Sequence, residues 1–147
     1  MGKRWKVYTA GRMSGIQYLD QINWRIDIQN AIMERTEENV EFIHPPYFYN
    51  YDEQNHRSDA EILEWEMSQL NDCDIVIVNL DGIESSIGTH MELGAVQGIN
   101  RFSGKHIYVV GIGSPSQELH PWIREACIRI EADMDNAAEY IAKYLLV

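Results

Sequence analysis

The chain has 147 residues, which sets a single domain large enough to bury roughly two-thirds of its unfolded surface. Twelve Lys and Arg against 23 Asp and Glu give a net charge of −11. That charge repels phosphate backbones and anionic lipid, so it argues against a nucleic-acid polymer or a membrane as partner. A small anionic ligand stays open, because one local pocket can oppose the global field.

No apolar run approaches the ~18 residues of a spanning helix; the run at 75–78 stops at Asn79. The basic start Met1-Gly2-Lys3-Arg4-Trp5-Lys6 has no apolar stretch behind it and does not read as a signal peptide. Two cysteines, Cys73 and Cys127, make no disulfide framework and read as buried thiols in a reducing, cytoplasmic setting.

The predicted elements alternate. A strand spans Trp5 to Ala10, followed by a turn at Gly11-Arg12-Met13-Ser14-Gly15 and a long helix from Ile16 to Glu34, with Ile22, Ile26 and Ile32 near helical spacing. A second strand, Val40 to Ile43, ends at His44-Pro45-Pro46, because proline cannot donate to a ladder. Tyr47 to Arg57 reads as a loop, and Ser58 opens a helix to Asn71. Asp74 to Leu80 is the clearest strand: its β-branched run fits a central parallel strand buried on both faces. Asp81 to Ile87 is a loop, Thr89 to Ile99 a helix and His106 to Gly111 a strand. Ala126 to Ile130 reads as a fifth strand, and Met134 to Leu146 as a closing helix. Such alternation predicts βαβ units, right-handed crossovers and a parallel sheet with helices on both faces.

In an open α/β sheet, ligands sit outside the carboxyl ends of the strands where the strand order reverses. For the order 2-1-3-4-5, that crevice lies between strands 1 and 3. Two loops line it, Gly11 to Gly15 and Asp81 to Gly88. In the first, Gly11 allows positive φ or close backbone approach, and Arg12 suits a carboxylate or phosphate. An equally simple reading makes Ser14 a helix cap with Gln17 as its capping-box partner. In the second, Thr89-x-x-Glu92 fits a capping box with Thr89 at the N-cap. It also fits a carboxylate in the first turn of a helix, kept ionised by the helix N-terminus and placed to attack or steady an electrophile. Ser86 and that N-terminus suit an anion.

Three segments carry a resemblance. Tyr8-Thr9-Ala10-Gly11-Arg12-Met13-Ser14 resembles the opening strand and turn of the nucleoside 2-deoxyribosyltransferase family. Cys73 to Gly82 resembles that family's central strand, and Ser86-Ile87-Gly88-Thr89-His90-Met91-Glu92-Leu93-Gly94 resembles its signature. Order and spacing agree over about residues 5 to 111. The resemblance implies an α/β fold: a five-stranded parallel sheet in a flavodoxin-like or Rossmann-like three-layer sandwich, one domain over residues 1–147. It implies cleavage of the N-glycosidic bond of a 2′-deoxynucleoside or its 5′-monophosphate, with no cofactor.

By the same resemblance, Glu92 attacks C1′ and holds a covalent deoxyribosyl intermediate that a second base or water then collects. The logic is that of retaining glycosidases. Tyr8 orients Glu92. Glu66, eight residues before Asp74, stands where the family usually has an aspartate that protonates the leaving base. It lies four residues from both Ile62 and Leu70, at the edge of an apolar face where partial burial raises a carboxyl pKa; a solvated glutamate beside Glu61 and Glu64 is the alternative. Gly11, Arg12, Ser14, Asp81, Ser86 and Gly88 are implied substrate contacts. Ser86, where transferases often carry aspartate, matches the related 2′-deoxynucleoside 5′-monophosphate N-hydrolases, and Arg12 and Ser14 also favour a phosphate. Asp81-Gly82 and Gly88-Thr89 match the transferase branch, which is the preferred reading.

The partners implied are a nucleoside or nucleotide and a free nucleobase, and assembly as a homo-oligomer whose neighbouring chain completes the site, with Trp122 and the C-terminal region as candidate contacts. The aromatic stretch Tyr47-Phe48-Tyr49-Asn50-Tyr51 suits stacking on a base, or packing beneath the loop or at a chain interface. The histidines, at 44, 56, 90, 106 and 120, have no metal spacing. No G-x-S-x-G elbow and no phosphate-binding G-x-x-x-x-G-K-[ST] loop occurs, and Gly111 to Pro115 lacks the third glycine of a dinucleotide fingerprint. A nucleotide-binding module without turnover is the reading from a different class.

Overall fold

The computed structural model describes residues 2–49 and 57–147. Five strands, β1 (Arg4–Ala10), β2 (Asn39–Ile43), β3 (Ile75–Asn79), β4 (Tyr108–Ile112) and β5 (Arg129–Glu131), form one sheet in the order β2-β1-β3-β4-β5. Every pairing is parallel. The order reverses between β1 and β3, which puts the crevice where the sequence reading places it.

The helices are α1 (Tyr18–Met33), α2 (Pro45–Phe48), α3 (Asp59–Asp72), α4 (Ile87–Phe102), α5 (Pro121–Ala126) and α6 (Met134–Tyr140), the last continued by a π turn over Ile141–Leu145. Among the described residues no helix is long and apolar enough to cross a membrane.

Strand alternation sorts the core into two layers. Ile75 and Ile77 join Val7, Ile28, Ile32, Ala138 and Ile141 on the α1/α6 face. Val76 and Val78 join Tyr8, Ala10, Leu70, Leu93, Val96 and Ile123 on the α3/α4/α5 face. The apolar run of β3 is apolar throughout because both faces are covered.

Several boundaries differ from the sequence reading. α1 begins two residues later than expected, and the Ser14–Gln17 box does not form. Gln17 is the N-cap without a side-chain bond, while the Gln21 amide donates to the Met13 and Ile16 carbonyls at 2.9 and 2.8 Å. Tyr47 and Phe48 are helical, because Pro45 and Pro46 at the first two positions pre-set the backbone of a short turn. Phe48 stacks on Trp65 at 4.0 Å. Asn50 and Tyr51, part of the aromatic stretch, lie outside the described residues. α4 starts at Ile87 with Ser86 before it, so Thr89 is inside the first turn and Glu92 in the second. β5 is shorter than expected and begins at Arg129.

Cys73 is buried and Cys127 half-buried, and neither is in a disulfide.

Candidate active site

At the carboxyl ends of β1 and β3, a cavity of about 240 Å³ is lined by Gly11, Arg12, Met13 and Ser14 from the first turn. Ser85, Ser86, Ile87, Gly88, Thr89 and Glu92 line it from α4 and its approach. Ile62 and Glu66 of α3 and the buried Tyr49 complete it. Glu92 and Glu66 therefore reach the same space from different helices. Tyr8 lies beneath, fully buried on the same sheet face, and its hydroxyl donates to Glu92 Oε2.

A carboxylate in the second turn is beyond most of the helix N-terminal field, which fades within the first turn. The expectation that the helix end keeps Glu92 ionised is corrected accordingly. Burial and the neighbouring Glu66 raise its pKa from 4.5 to about 8, against the pull of the Tyr8 hydroxyl and Arg25. Burial raises Glu66 as well, and Arg25 opposes it. Tyr8 is held well above its ordinary value by burial and by Glu92, so it remains a donor. Two carboxyls in one site share protons, and the pair is the titrating unit.

Nor does Glu92 close a capping box. Ser86 Oγ and Thr89 Oγ1 bond each other at 2.6 Å, both buried. This pair fixes the turn into α4 and leaves the Glu92 carboxylate to Tyr8.

Gly11 does not use positive φ. It allows close approach: a Cβ there would stand 2.7 Å from the Trp24 ring. Gly15, with φ of 77°, is the glycine in this turn that needs its conformational freedom. Arg12 Nε donates to the Ser14 carbonyl at 3.2 Å, and the side chain makes no ion pair among the described residues.

Asp81 is the one expected contact outside this cavity. It is exposed and lines a neighbouring space of about 620 Å³ with Asn79, Gly82, Glu84 and Gln117. The chain passes from one cavity to the other between Glu84 and Ser85, and Gly82 lies against the Arg12 side chain. Trp122, 81% exposed, lines neither cavity and stands beside a groove between α4 and α5.

Sequence reasoning missed a buried polar chain on the opposite sheet face. Arg25 is fully buried. Its Nε donates to Thr9 Oγ1 at 3.1 Å, its Nη1 to the Gln21 carbonyl and its Nη2 to the Gly11 carbonyl at 3.3 Å. Thr9 Oγ1 and His44 Nδ1 bond each other at 2.8 Å, the Thr9 hydroxyl also reaches the Ile43 carbonyl at 3.3 Å, and the other ring nitrogen, Nε2, bonds the Gln29 side-chain amide at 2.6 Å. Burial and Arg25 push His44 down to about 4, so it is neutral. Gln21 and Arg25 fall on the buried stripe of α1 with Ile22, Ile28 and Ile32. Polar residues on that stripe were the available signal.

Among the described residues no three His, Cys, Asp or Glu side chains gather as a metal site requires. The lining offers carboxylates, hydroxyls and the Arg12 guanidinium, which has no ion pair among the described residues, a set suited to a polar organic ligand with an anionic end.

Solved structures share the fold. A 2-deoxyribosyltransferase from Bacillus psychrosaccharolyticus is 14% identical with a TM-score of 0.63, covering 92% of this chain and 91% of its own. A CMP N-glycosidase from Clostridium botulinum is 18% identical with a TM-score of 0.56, covering 95% and 99%. A conserved protein from Enterococcus faecalis V583 is 13% identical with a TM-score of 0.70, covering 97% and 100%. No curated protein sequence matches the chain. The family model described as "Nucleoside 2-deoxyribosyltransferase like" matches residues 4–110, from β1 into β4 and thus every residue placed around the cavity. The chain belongs to the nucleoside 2-deoxyribosyltransferase-like family.

Proposed function

We propose that this protein cleaves the N-glycosidic bond of a 2′-deoxynucleoside and transfers the sugar to another nucleobase. The observation that carries the reading is the convergence of Glu92 and Glu66 on one cavity, with the Tyr8 hydroxyl bonded to only one of them.

Tyr8 occupies Glu92 Oε2, so Oε1 is the attacking oxygen. It forms a bond to C1′ as the C1′–N bond breaks, and the bond electrons leave on the base. Glu66, its carboxyl raised by burial, gives that base its proton. The product of this half-reaction is a deoxyribosyl ester on Glu92. A second base then attacks C1′, surrenders its proton to the Glu66 carboxylate and frees Glu92. The two acids thereby play nucleophile and proton donor, as in retaining glycosidases. Gly11, Arg12, Ser14, Ser86 and Gly88 hold the sugar and its 5′ end. Asp81, in the neighbouring cavity, stands away from the reacting atoms. A homo-oligomer belongs to the same proposal, with sedimentation as its measurement.

A second reading has its own support. Arg12, Ser14 and Ser86 lie together at the mouth of α4, an arrangement fit for a phosphate. On that reading the substrate is a 2′-deoxynucleoside 5′-monophosphate, and water collects the sugar.

Product analysis tests both. The protein is incubated with a deoxynucleoside plus a different free base, and separately with deoxynucleoside monophosphates alone, with Glu92→Ala as control. A new nucleoside that disappears with the variant supports transfer. Free base from monophosphates alone supports the hydrolase. A nucleotide that binds wild type and variant equally, with no base released from any substrate, leaves a binding module.

A further inference from the structure

Arg25 is a fully buried guanidinium with no contact ion pair among the described residues. Burying such a charge is costly unless something compensates it. Three hydrogen bonds, to Thr9, Gln21 and Gly11, use one N–H of each nitrogen, and Trp24 stacks on it with 4.6 Å from guanidinium carbon to ring centroid. None of these partners is negative. The opposing charge lies across β1. Val7 and Thr9 face α1, whereas Tyr8 faces α3 and α4, so the cation sits beneath the strand end and the two acids above it.

We propose that Arg25 is a positioning residue that acts through β1: its fixed charge lets the Glu66–Glu92 pair hold one negative charge and one proton at neutral pH, while its bonds to Thr9 and Gly11 hold the turn that carries Arg12. The inference rests on the reaction proposed above, in which one acid attacks while the other protonates.

The groups facing the pair are few. Tyr8 of β1 donates to Glu92 and stays protonated. Arg12, from the turn, and the buried Tyr49, after α2, line the same cavity. His44, after β2, is neutral and adds no charge. Arg25, of α1, is pushed down by burial to about 10, which leaves it cationic, and it draws both carboxyls toward ionisation. Without it, the two half-buried acids keep the Tyr8 bond to Glu92 and the Arg12 side chain at the cavity wall, but lose the buried cation. Both then stay protonated at neutral pH, and neither can attack.

The test is a titration of the glutamate side-chain carboxyl carbons by NMR in the ligand-free protein, for wild type, Arg25→Met and Arg25→Gln. In wild type, one carboxyl of the pair ionises below pH 7 and the other above it. In either neutral variant the first ionisation moves up by roughly one to two pH units. Thr9→Val, which keeps the volume but removes the acceptor that aims the guanidinium, moves it the same way by roughly half a unit. It carries the test if neither neutral variant folds. An unchanged titration in a folded variant overturns the proposal. So does a wild-type pair that is doubly protonated, or doubly ionised, at pH 7.

Turnover adds a second readout. The neutral variants lose kcat, its acidic limb moves up in pH, and KM changes less than threefold. Titration needs no substrate, so a pair that titrates as described without turning over any nucleoside counts against the proposed reaction and leaves the role of Arg25 standing.

Discussion

Replacing Glu92 by Gln tests the electrostatics of the site without requiring a substrate. Glutamine keeps the shape, and its Oε1 still accepts from the Tyr8 hydroxyl, but nothing at the position can ionise. In wild type, burial and Glu66 raise the Glu92 carboxyl from 4.5 to about 8. Above its unfolded value, the unfolded chain has released that proton and the folded chain still holds it. The folded state binds more protons, so stability falls as pH rises through this window and levels off above about pH 8. About 1.4 kcal/mol per pH unit sets a ceiling of about 5 kcal/mol. Because Glu66 shares the proton, about half of that, 2–3 kcal/mol, is expected. For a chain of this size it corresponds to about 4–12 °C in Tm. Thermal melts of both proteins from pH 5 to 9 give the comparison. Near pH 5 the two Tm values lie close together; by pH 8 to 9 the glutamine variant is higher by the stated amount. Parallel curves across the range would refute the argument, because they mean that Glu92 meets the same solvent folded and unfolded.

The remaining predictions concern turnover and packing. Glu66→Gln removes the proton donor, so cleavage slows about 10²–10⁴-fold for ordinary bases and by much less for a base that leaves readily without a proton, measured as kcat for the two substrates. Arg12→Ala raises KM for a deoxynucleoside monophosphate about tenfold and leaves the unphosphorylated nucleoside within twofold if a phosphate sits at the mouth of α4; equal effects on both assign Arg12 to the sugar. Gly11→Ala places a methyl 2.7 Å from the Trp24 ring and costs about 1–3 kcal/mol in denaturant unfolding.

The sheet was legible because its signals are local. The β-branched run at 75–78 can satisfy a strand buried on both faces and little else, and its two face sets appear in the two core layers. The start of α4 was not legible for a local reason too. Thr89-x-x-Glu92 has the spacing of a capping box, but Ser86 and Thr89 bond each other, and the Glu92 carboxylate goes to a tyrosine 84 residues away. Sequence spacing cannot see that competition. Glu66 was readable from its position between Ile62 and Leu70, four residues from each, on a helix whose apolar edge turns toward the cavity. Arg25 was hidden among the charges of α1, and only its phase with Ile28 and Ile32 marks it as buried.

One geometric fact ties these pieces together. Burial raises both acids, and by itself gives no reason for either to attack. The asymmetry comes from the strand end. Tyr8 points to one face and donates to Glu92; no described residue donates to Glu66 in this way. A donor favours the charged form of the carboxyl it bonds, so the Tyr8 bond draws Glu92 toward ionisation, against the burial that raises it to about 8, and no such bond does the same for Glu66. A base bound against Glu66 excludes water there and strengthens that asymmetry, since desolvation penalises the charged form. On the proposed reaction, the substrate therefore completes the assignment of roles that Tyr8 begins. Tyr8→Phe then lowers kcat by more than the loss of one hydrogen bond accounts for, because it removes what distinguishes the nucleophile from the acid.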